Sequence, residues 1–409
     1  MGLVNTFIRT SKFILIIFIG IPICILTRLI SPFKIVRFGY FYGERIGHFA
    51  FDVGQYLAEK NFYNIGSLDF FFIGGNISNR FFLKLVKRKV YINKFFMILY
   101  EANRMLPNHY KYEVLVGSSK SAGLTSDLRG LENKTGVNLD FNEQEHIQAS
   151  KFLKEVGCNN KFICLSVRDS AFLERTFPEV DFTYHEYRDS DIETYKKTIH
   201  YLLDKNYYVF RMGKIVKEPL KIEHPNFLDY ASSKHRCDFL DVWLMANCYF
   251  CISTATGLDE IARVFRKPIN YVNAMPIGHF PSSYPGCIWT PKTIISKDNM
   301  KKLSLNEMIL NGSIDFPESG WSYKSNLDSK NLKLIDNTED EILESTIEMH
   351  EKLNDEWNFT KEHEEIQRLF WEKLETWSGF YSYHNNNQED RVGIISDYYL
   401  KKNKDWFLK

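Results

Sequence analysis

Three observations place the chain in the α/β class. After Pro32, short apolar runs alternate with stretches of helical spacing, which is how a parallel sheet with crossover helices reads. A length of 409 residues, at about 100 to 200 residues per domain, gives two domains with extensions. A hydrophobic fraction of 44% with 15% aromatics cannot stay disordered, because burying that surface outweighs chain entropy. The expected architecture is therefore two doubly wound α/β domains facing a cleft, preceded by an apolar N-terminal helix and followed by C-terminal helices.

The first element is the apolar run Phe13 to Thr27, fifteen uncharged residues that reach about 22 Å as a helix against roughly 30 Å of hydrocarbon. It reads as a membrane-associated segment over 1–31. The bulky Leu26, Arg28 and Leu29 at its end do not suit a signal-peptide cleavage site. Basic residues are denser after it (Arg28, Lys34, Arg37, Arg45) than before it, which places the body on the cytoplasmic face of the inner membrane. Seven cysteines, an odd number scattered through apolar runs, fit a reducing compartment.

An N-terminal domain is expected over 32–157. Its candidate strands are Ile35 to Tyr40, Leu68 to Ile73 and Lys89 to Ile92, and its candidate helices Gly47 to Lys60, Asn79 to Lys87 and Lys94 to Met105. Ser118 to Asn138, rich in Ser, Gly, Asn and Lys, reads as a loop, followed by a helix from Asn142 to Val156 that Gly157 ends. The second domain, 158–300, opens on a strand at Phe162 to Val167. Ser190 and Glu193 then form an expected capping box before a helix whose Ile192, Tyr195, Ile199, Leu202 and Leu203 share one face. Strands at Tyr207 to Met212, Tyr249 to Ser253 and Ile269 to Val272 alternate with helices at Asp238 to Asn247 and Gly257 to Arg266; Phe227 to Tyr230 reads as a further strand. In the extension over 301–409, Thr338 and Glu341 form a capping box that starts acidic helices.

The block YFCISTATGLDEIARVFRKPINYV at 249–272 carries the main chemical signal. Ser253, Thr254, Thr256 and Gly257 fall where a strand delivers the chain to a helix start, whose N–H groups attract phosphate oxygens. The alternative is a plain cap, with Thr256 capping a helix that packs on the sheet. Glu260, in the first turn, either serves the helix dipole or accepts from sugar hydroxyls. At the ends of two other strands lie Arg211, Gly213 and Lys214, and Arg168 with Asp169, which offer a planar fork and point charges to phosphate. The alternatives are surface charges and a structural ion pair; His185 and Arg188 are equally ambiguous. In the N-terminal domain, His48 and Asp52 lie four apart on one helix face, where an acceptor hydroxyl can meet a base.

Other chemistry is excluded. The formal charge of +1, from 52 basic and 51 acidic residues, supplies no field for nucleic acid. The chain contains no dinucleotide, P-loop, zincin or hydrolase motif, so no cofactor is expected. Cys248 and Cys251 read as strand packing rather than a zinc pair, and Asp189-Ser-Asp191 as helix initiation rather than a metal site.

The blocks R-I-G-H-F-A at 45–50, S-V-R-D-S-A-F-L at 166–173, Y-R-D-S-D-I at 187–192, Y-V-F-R-M-G-K at 208–214 and residues 249–273 together resemble a family of predicted bacterial glycosyltransferases from surface-carbohydrate gene clusters. The resemblance spans about residues 35–290. It implies a GT-B-like architecture of two Rossmann-like domains, the nucleotide-sugar donor in the C-terminal one and the acceptor in the N-terminal one. On that logic Arg168, Arg211, Gly213, Lys214, Ser253, Thr254 and Gly257 serve the donor and His48 the acceptor side. The expectation is a metal-independent glycosyltransferase that moves a sugar from a nucleotide-diphosphate donor to a lipid-linked or cell-surface glycan acceptor. A nucleotide-sugar epimerase or hydrolase, and a non-catalytic membrane-tethered scaffold, are the alternatives.

Overall fold

The computed structural model describes residues 11–116, 126–176, 178–179, 181–317 and 322–409. It divides into two compact units, Met1–Thr125 with Lys134–Asp140, and Ser126–Asn133 with Phe141–Lys409.

The first unit holds four parallel strands, β1 (Val36–Tyr42), β2 (Leu68–Gly74), β3 (Tyr91–Ile92) and β4 (Glu113–Val114), in the order β3-β2-β1-β4. The first three match the apolar runs of the sequence. The fourth, which pairs with Phe38 and Gly39 of β1, is not among the strands expected from the sequence. Within β1, Gly39 faces Phe71 of β2, and a Cβ there would stand 2.7 Å from the ring. Glycine thus lets Phe71 lie flat on Phe41 at 4.3 Å between centroids. Helices Ile46–Phe62, Arg80–Val86 and Phe96–Arg104 follow the strands, and Asn79 caps the second by accepting from the Phe82 N–H at 2.8 Å. Of the expected loop at 118–138, residues 118–125 lie outside the described residues. Leu131–Lys134 is a helical turn, most of which belongs to the second unit.

An apolar helix precedes β1. It runs Ser11–Leu29, with a π-helical turn at Ile16–Gly20, and is long and apolar enough by length and composition to cross a membrane. The fifteen-residue estimate is thus too short, because Ser11, Lys12, Arg28 and Leu29 continue the helix.

The second unit is built on seven parallel strands: β5 (Phe162–Ser166), β6 (Tyr208–Arg211), β7 (Phe227–Leu228), β8 (Cys251–Ser253), β9 (Ile269–Ala274), β10 (Cys287–Pro291) and β13 (Ile394–Ile395). Their order is β13-β10-β9-β8-β5-β6-β7. Counted from β5, that is the 3-2-1-4-5-6 order of a doubly wound dinucleotide-type sheet, with β13 added at the edge. Between β10 and β13 in sequence, β11 (Thr293–Ser296) and β12 (Leu332–Ile335) form a separate antiparallel pair. The chain beyond 301 is therefore more than a helical appendage, since its Ile394 pairs with Ile288 of β10.

Helix Lys196–Asp204 buries the expected stripe. Tyr195, Ile199, Leu202 and Leu203 join Ile163, Leu165 and Val209 of the sheet in one core, with Ile192 packed against it. Full burial of each aliphatic side chain contributes about 1.5–3 kcal/mol. The expected Ser190–Glu193 capping box is corrected. Asp191 caps a 3-10 turn, Ile192–Tyr195, by accepting from Glu193 N–H, while the Ser190 hydroxyl bonds Tyr195 and Asn273. The Thr338–Glu341 box does form and opens Glu339–Leu353. Cys248 ends a helix and Cys251 starts β8; both are buried free thiols.

His384 is buried beneath Phe280, Phe380 and Trp371, with Nδ1 against the Ser282 hydroxyl at 2.8 Å. Burial, with His279 and Arg391 nearby, pushes its pKa down to about 3. A folded-state value below the unfolded one gives stability that is complete above pH about 6.5 and is lost as pH falls toward the folded value. We expect the urea midpoint of the wild type to fall across that window more steeply than that of His384→Gln, which stays neutral throughout. Parallel curves for the two proteins would reject this role.

Candidate functional site

From β5 the chain proceeds outward on one side through β6 and β7, then returns to lay β8 against the other side of β5. Two strands whose connections leave in opposite directions open a crevice at their carboxyl ends, which is where ligands sit in open parallel sheets. The segments entering it here are Val167 to Asp169 after β5 and Thr254 to Gly257 after β8.

The two segments are fastened together. The Thr254 hydroxyl accepts from the Arg168 N–H at 2.9 Å, the Thr254 N–H donates to the Ser166 carbonyl at 3.3 Å, and the Ser166 and Thr256 hydroxyls lie 2.9 Å apart. Ser253 is fully buried, and its hydroxyl has no hydrogen-bond partner among the described residues. Ala255 between them takes a left-handed φ of +57°, a strained conformation for alanine. Its carbonyl receives Arg188 Nη1 at 3.2 Å.

Two guanidinium groups meet at this point. Arg168 donates from Nε to Asp189 at 2.9 Å; burial and the neighbouring Arg188 charge push its pKa down to about 10. Arg188 donates from Nη2 to His185 Nδ1 at 2.7 Å, and its buried Nε has no partner among the described residues. Burial also raises the pKa of Asp189, against the pull of Arg168.

Beside them lies a cavity of about 620 Å³ at the ends of β5 and β6. Its lining includes six carboxylates, Asp169, Asp189, Asp191, Glu193, Glu218 and Asp336, against the cations Arg211 and Lys217. Such a field repels phosphate and suits hydroxyl groups, whose protons carboxylates accept.

Several expectations are corrected. The helix after the Ser/Thr turn is only six residues, Asp259–Val264, and its start is already occupied. Asp259 accepts from the Gly257 N–H at 2.6 Å and from the Thr256 hydroxyl at 3.2 Å, and Thr256 accepts from the Leu258 N–H at 3.3 Å. A phosphate cannot also take the Gly257 N–H. Glu260 is buried against Arg263 at 3.4 Å, so it faces no sugar. Arg211 is 1% exposed and donates to the Glu218 carbonyl and to Asp229 at 3.0 and 3.2 Å, making it a strut for the loop after β6 rather than a phosphate fork. Asp169 ties that loop to β5, accepting from the Lys217 and Ala171 N–H groups at 2.8 and 3.0 Å, while it lines the cavity. Gly213 sits where a Cβ would meet Val216 at 2.7 Å, and Lys214 is exposed; neither lines the cavity.

In the first unit, His48 and Asp52 share helix Ile46–Phe62 as expected. His48 is partly exposed, edge-on to Tyr42 at 6.0 Å, whereas Asp52 is fully buried and cannot touch an acceptor directly.

No family model matches the chain, and no curated protein matches it. The fold search finds the structure of E. coli ADP-heptose lps heptosyltransferase II, at 12% identity and a TM-score of 0.34, over 58% of this chain and 84% of that one.

Of two site features not assigned by the sequence reading, one escapes it altogether. Arg188 is an ambiguous loop cation in sequence, and only the fold brings it to the switch point. The Asp259 cap did leave a signal: Thr256-Gly-Leu-Asp259 is a Ser/Thr-x-x-Asp/Glu pattern, which announces a helix start that satisfies its own N–H groups.

Proposed function

We propose that the chain is a glycosyltransferase that binds a nucleotide-diphosphate sugar at the β5/β8 switch point and transfers the sugar to a glycan or lipid-linked acceptor. The observation that carries this reading is the pair Arg168 and Arg188, whose charges act on each other at the place in the described sheet where the connections reverse. Asp189 balances the charge of Arg168, whereas among the described residues the hydrogen-bond partners of Arg188 are a carbonyl and an imidazole nitrogen, so the pair as a whole still attracts an anion. A diphosphate on these arginines leaves the hydroxyl-bearing end of the donor facing the acidic cavity. The departing diphosphate is then stabilised by charge-assisted hydrogen bonds from fixed guanidinium groups. In the first unit, His48 is the candidate base for the acceptor hydroxyl, and buried Asp52, one helical turn away, a positioning residue. The proposed site of action is the cytoplasmic face of the inner membrane.

Calorimetric titration of the purified chain with UDP, GDP, CMP and ADP sugars tests the reading. One of the UDP, GDP and ADP sugars is expected to saturate, with competition by the matching nucleoside diphosphate; binding of none of the four, or only of the CMP sugar, which carries a single phosphate, rejects it. Incubation with donor alone separates the alternatives, since quantitative epimerisation or release of free sugar identifies an epimerase or hydrolase. With acceptor present, His48→Ala is expected to lower turnover about 10²-fold or more while donor affinity stays unchanged.

A further inference from the structure

The apolar helix Ser11–Leu29 is fastened to the first unit along its whole length. Ile16, Gly20 and Cys24, four residues apart, form a buried stripe against helix Phe96–Arg104, and the Cys24 thiol donates to the Leu99 carbonyl at 3.3 Å. Gly20 is required for this contact, since a Cβ there would stand 2.7 Å from that of Ala102. Both ends are pinned to the same partner region. Lys12 pairs with Glu101 at 3.2 Å, while Arg28 donates to Asn103 Oδ1 at 2.8 Å and to the Pro107 carbonyl at 2.7 Å, with its guanidinium over Tyr112.

Among the described residues the opposite face has no protein cover. Phe18 is 74% exposed, Leu26 61%, Leu29 68% and Phe33 91%, and Ile14 and Ile25 extend the same strip. A strip of this size needs an occupant. If the helix crossed a bilayer, its partner helix would enter the hydrocarbon with it, carrying Glu101, Asn103 and Arg104. If it lies flat, only the uncovered strip enters, and Lys12, Arg28 and Lys34 sit at the two ends of the segment, level with the headgroups.

We propose that this helix is an in-plane membrane anchor: its Ile14, Phe18, Ile25, Leu26 and Leu29 face inserts into one leaflet of an anionic bilayer, and the first unit rests on the surface. This deepens the membrane partnership of the proposed function without depending on the donor site. The occupant is assigned as lipid because the strip is apolar throughout and carries the cations Arg28 and Lys34 at its C-terminal end, which complements acyl chains beneath anionic headgroups.

Flotation of the full chain with phosphatidylcholine vesicles, with and without phosphatidylglycerol, reads the binding. The wild type is expected to float, more strongly with the anionic lipid, and the doubly substituted Phe18→Asp, Leu26→Asp protein to lose at least tenfold in bound fraction while its donor titration is unchanged. Depth decides between lying and crossing. Tryptophan placed singly at Ile14, Phe18, Ile25 and Leu29, read over the seven native tryptophans at 243–406, is quenched by brominated lipids. Equal depth at all four positions supports the proposal. A profile deep at the centre and shallow at the ends, or a dimer in solution that does not bind vesicles, overturns it. Loss of donor binding with intact flotation overturns the donor site instead.

Discussion

Arg263→Ala is expected to lower the unfolding free energy of the second unit by about 3–5 kcal/mol, the cost of breaking a buried ion pair from one side. Arg263 is 2% exposed and donates from Nε and Nη2 to Glu132 at 2.9 and 2.7 Å, and from Nη1 to Glu260 at 3.4 Å. Glu132 lies on Ser126–Asn133, which belongs to the second unit although the next seven residues return to the first. The pair therefore fastens a segment that sequence neighbours would carry away. Without the guanidinium, Glu132 and Glu260 remain buried as two like charges. Burial already raises the Glu132 pKa, with Arg263 opposing it. A carboxyl raised in the folded state contributes stability below its unfolded value, lost as pH rises through the folded value. The deficit of the variant is thus expected to be largest near neutral pH and to shrink as pH falls toward about 4.5. Denaturant midpoints followed by tryptophan fluorescence measure this. A pH-independent loss below about 1 kcal/mol would place the triad among weakly coupled pairs. Replacement of Arg263 by Met and of Glu132 and Glu260 by Gln is expected to recover most of the loss, because it removes the three charges of the triad together.

The two central readings of the sequence met different fates for a physical reason. Strand and helix positions were legible wherever a buried face repeated often enough to set a period, as in β1, β2, β5 and the Tyr195–Leu203 stripe. The two-residue strands β4 and β13 owe their existence to neighbours far away in sequence and leave no local pattern, whereas the equally short β3 and β7 coincide with strands expected from the sequence. The switch point itself was half legible. Residue types at the ends of β5 and β8 marked the crevice, and the fold joins them through Thr254 and Thr256. What those side chains are bonded to depends on groups distant in sequence. Arg211 looks available because its partner Asp229 lies eighteen residues on, and Glu260 looks available because its neighbour Arg263 is buried by a pairing with Glu132, 131 residues away. A polar residue at a strand end marks a place; its partners decide whether it serves a ligand or the fold.

The Arg168 and Arg188 pair is where that distinction can be measured. Both touch the switch point, yet they are held differently. Arg168 is neutralised by Asp189 at 2.9 Å, while the partners of Arg188 there are a carbonyl and an imidazole nitrogen, with Nε unpartnered among the described residues. An arriving diphosphate gains most from the cation that, among the described residues, has no carboxylate to give up. Arg188→Ala is expected to weaken nucleoside-diphosphate binding about 10- to 150-fold, the equivalent of one or two charge-assisted hydrogen bonds at about 1.5–3 kcal/mol. Arg168→Ala is expected to cost less affinity and more stability, because it leaves Asp189 half-buried beside the cavity without its partner. Arg188→Lys keeps the charge but loses the planar fork, so partial recovery is expected. Calorimetry with the nucleoside diphosphate and thermal unfolding of the same preparations supply both readouts. Equal affinity in wild type and Arg188→Ala would show that the positive pair is a structural element and that the phosphates, if bound, lie elsewhere on the sheet.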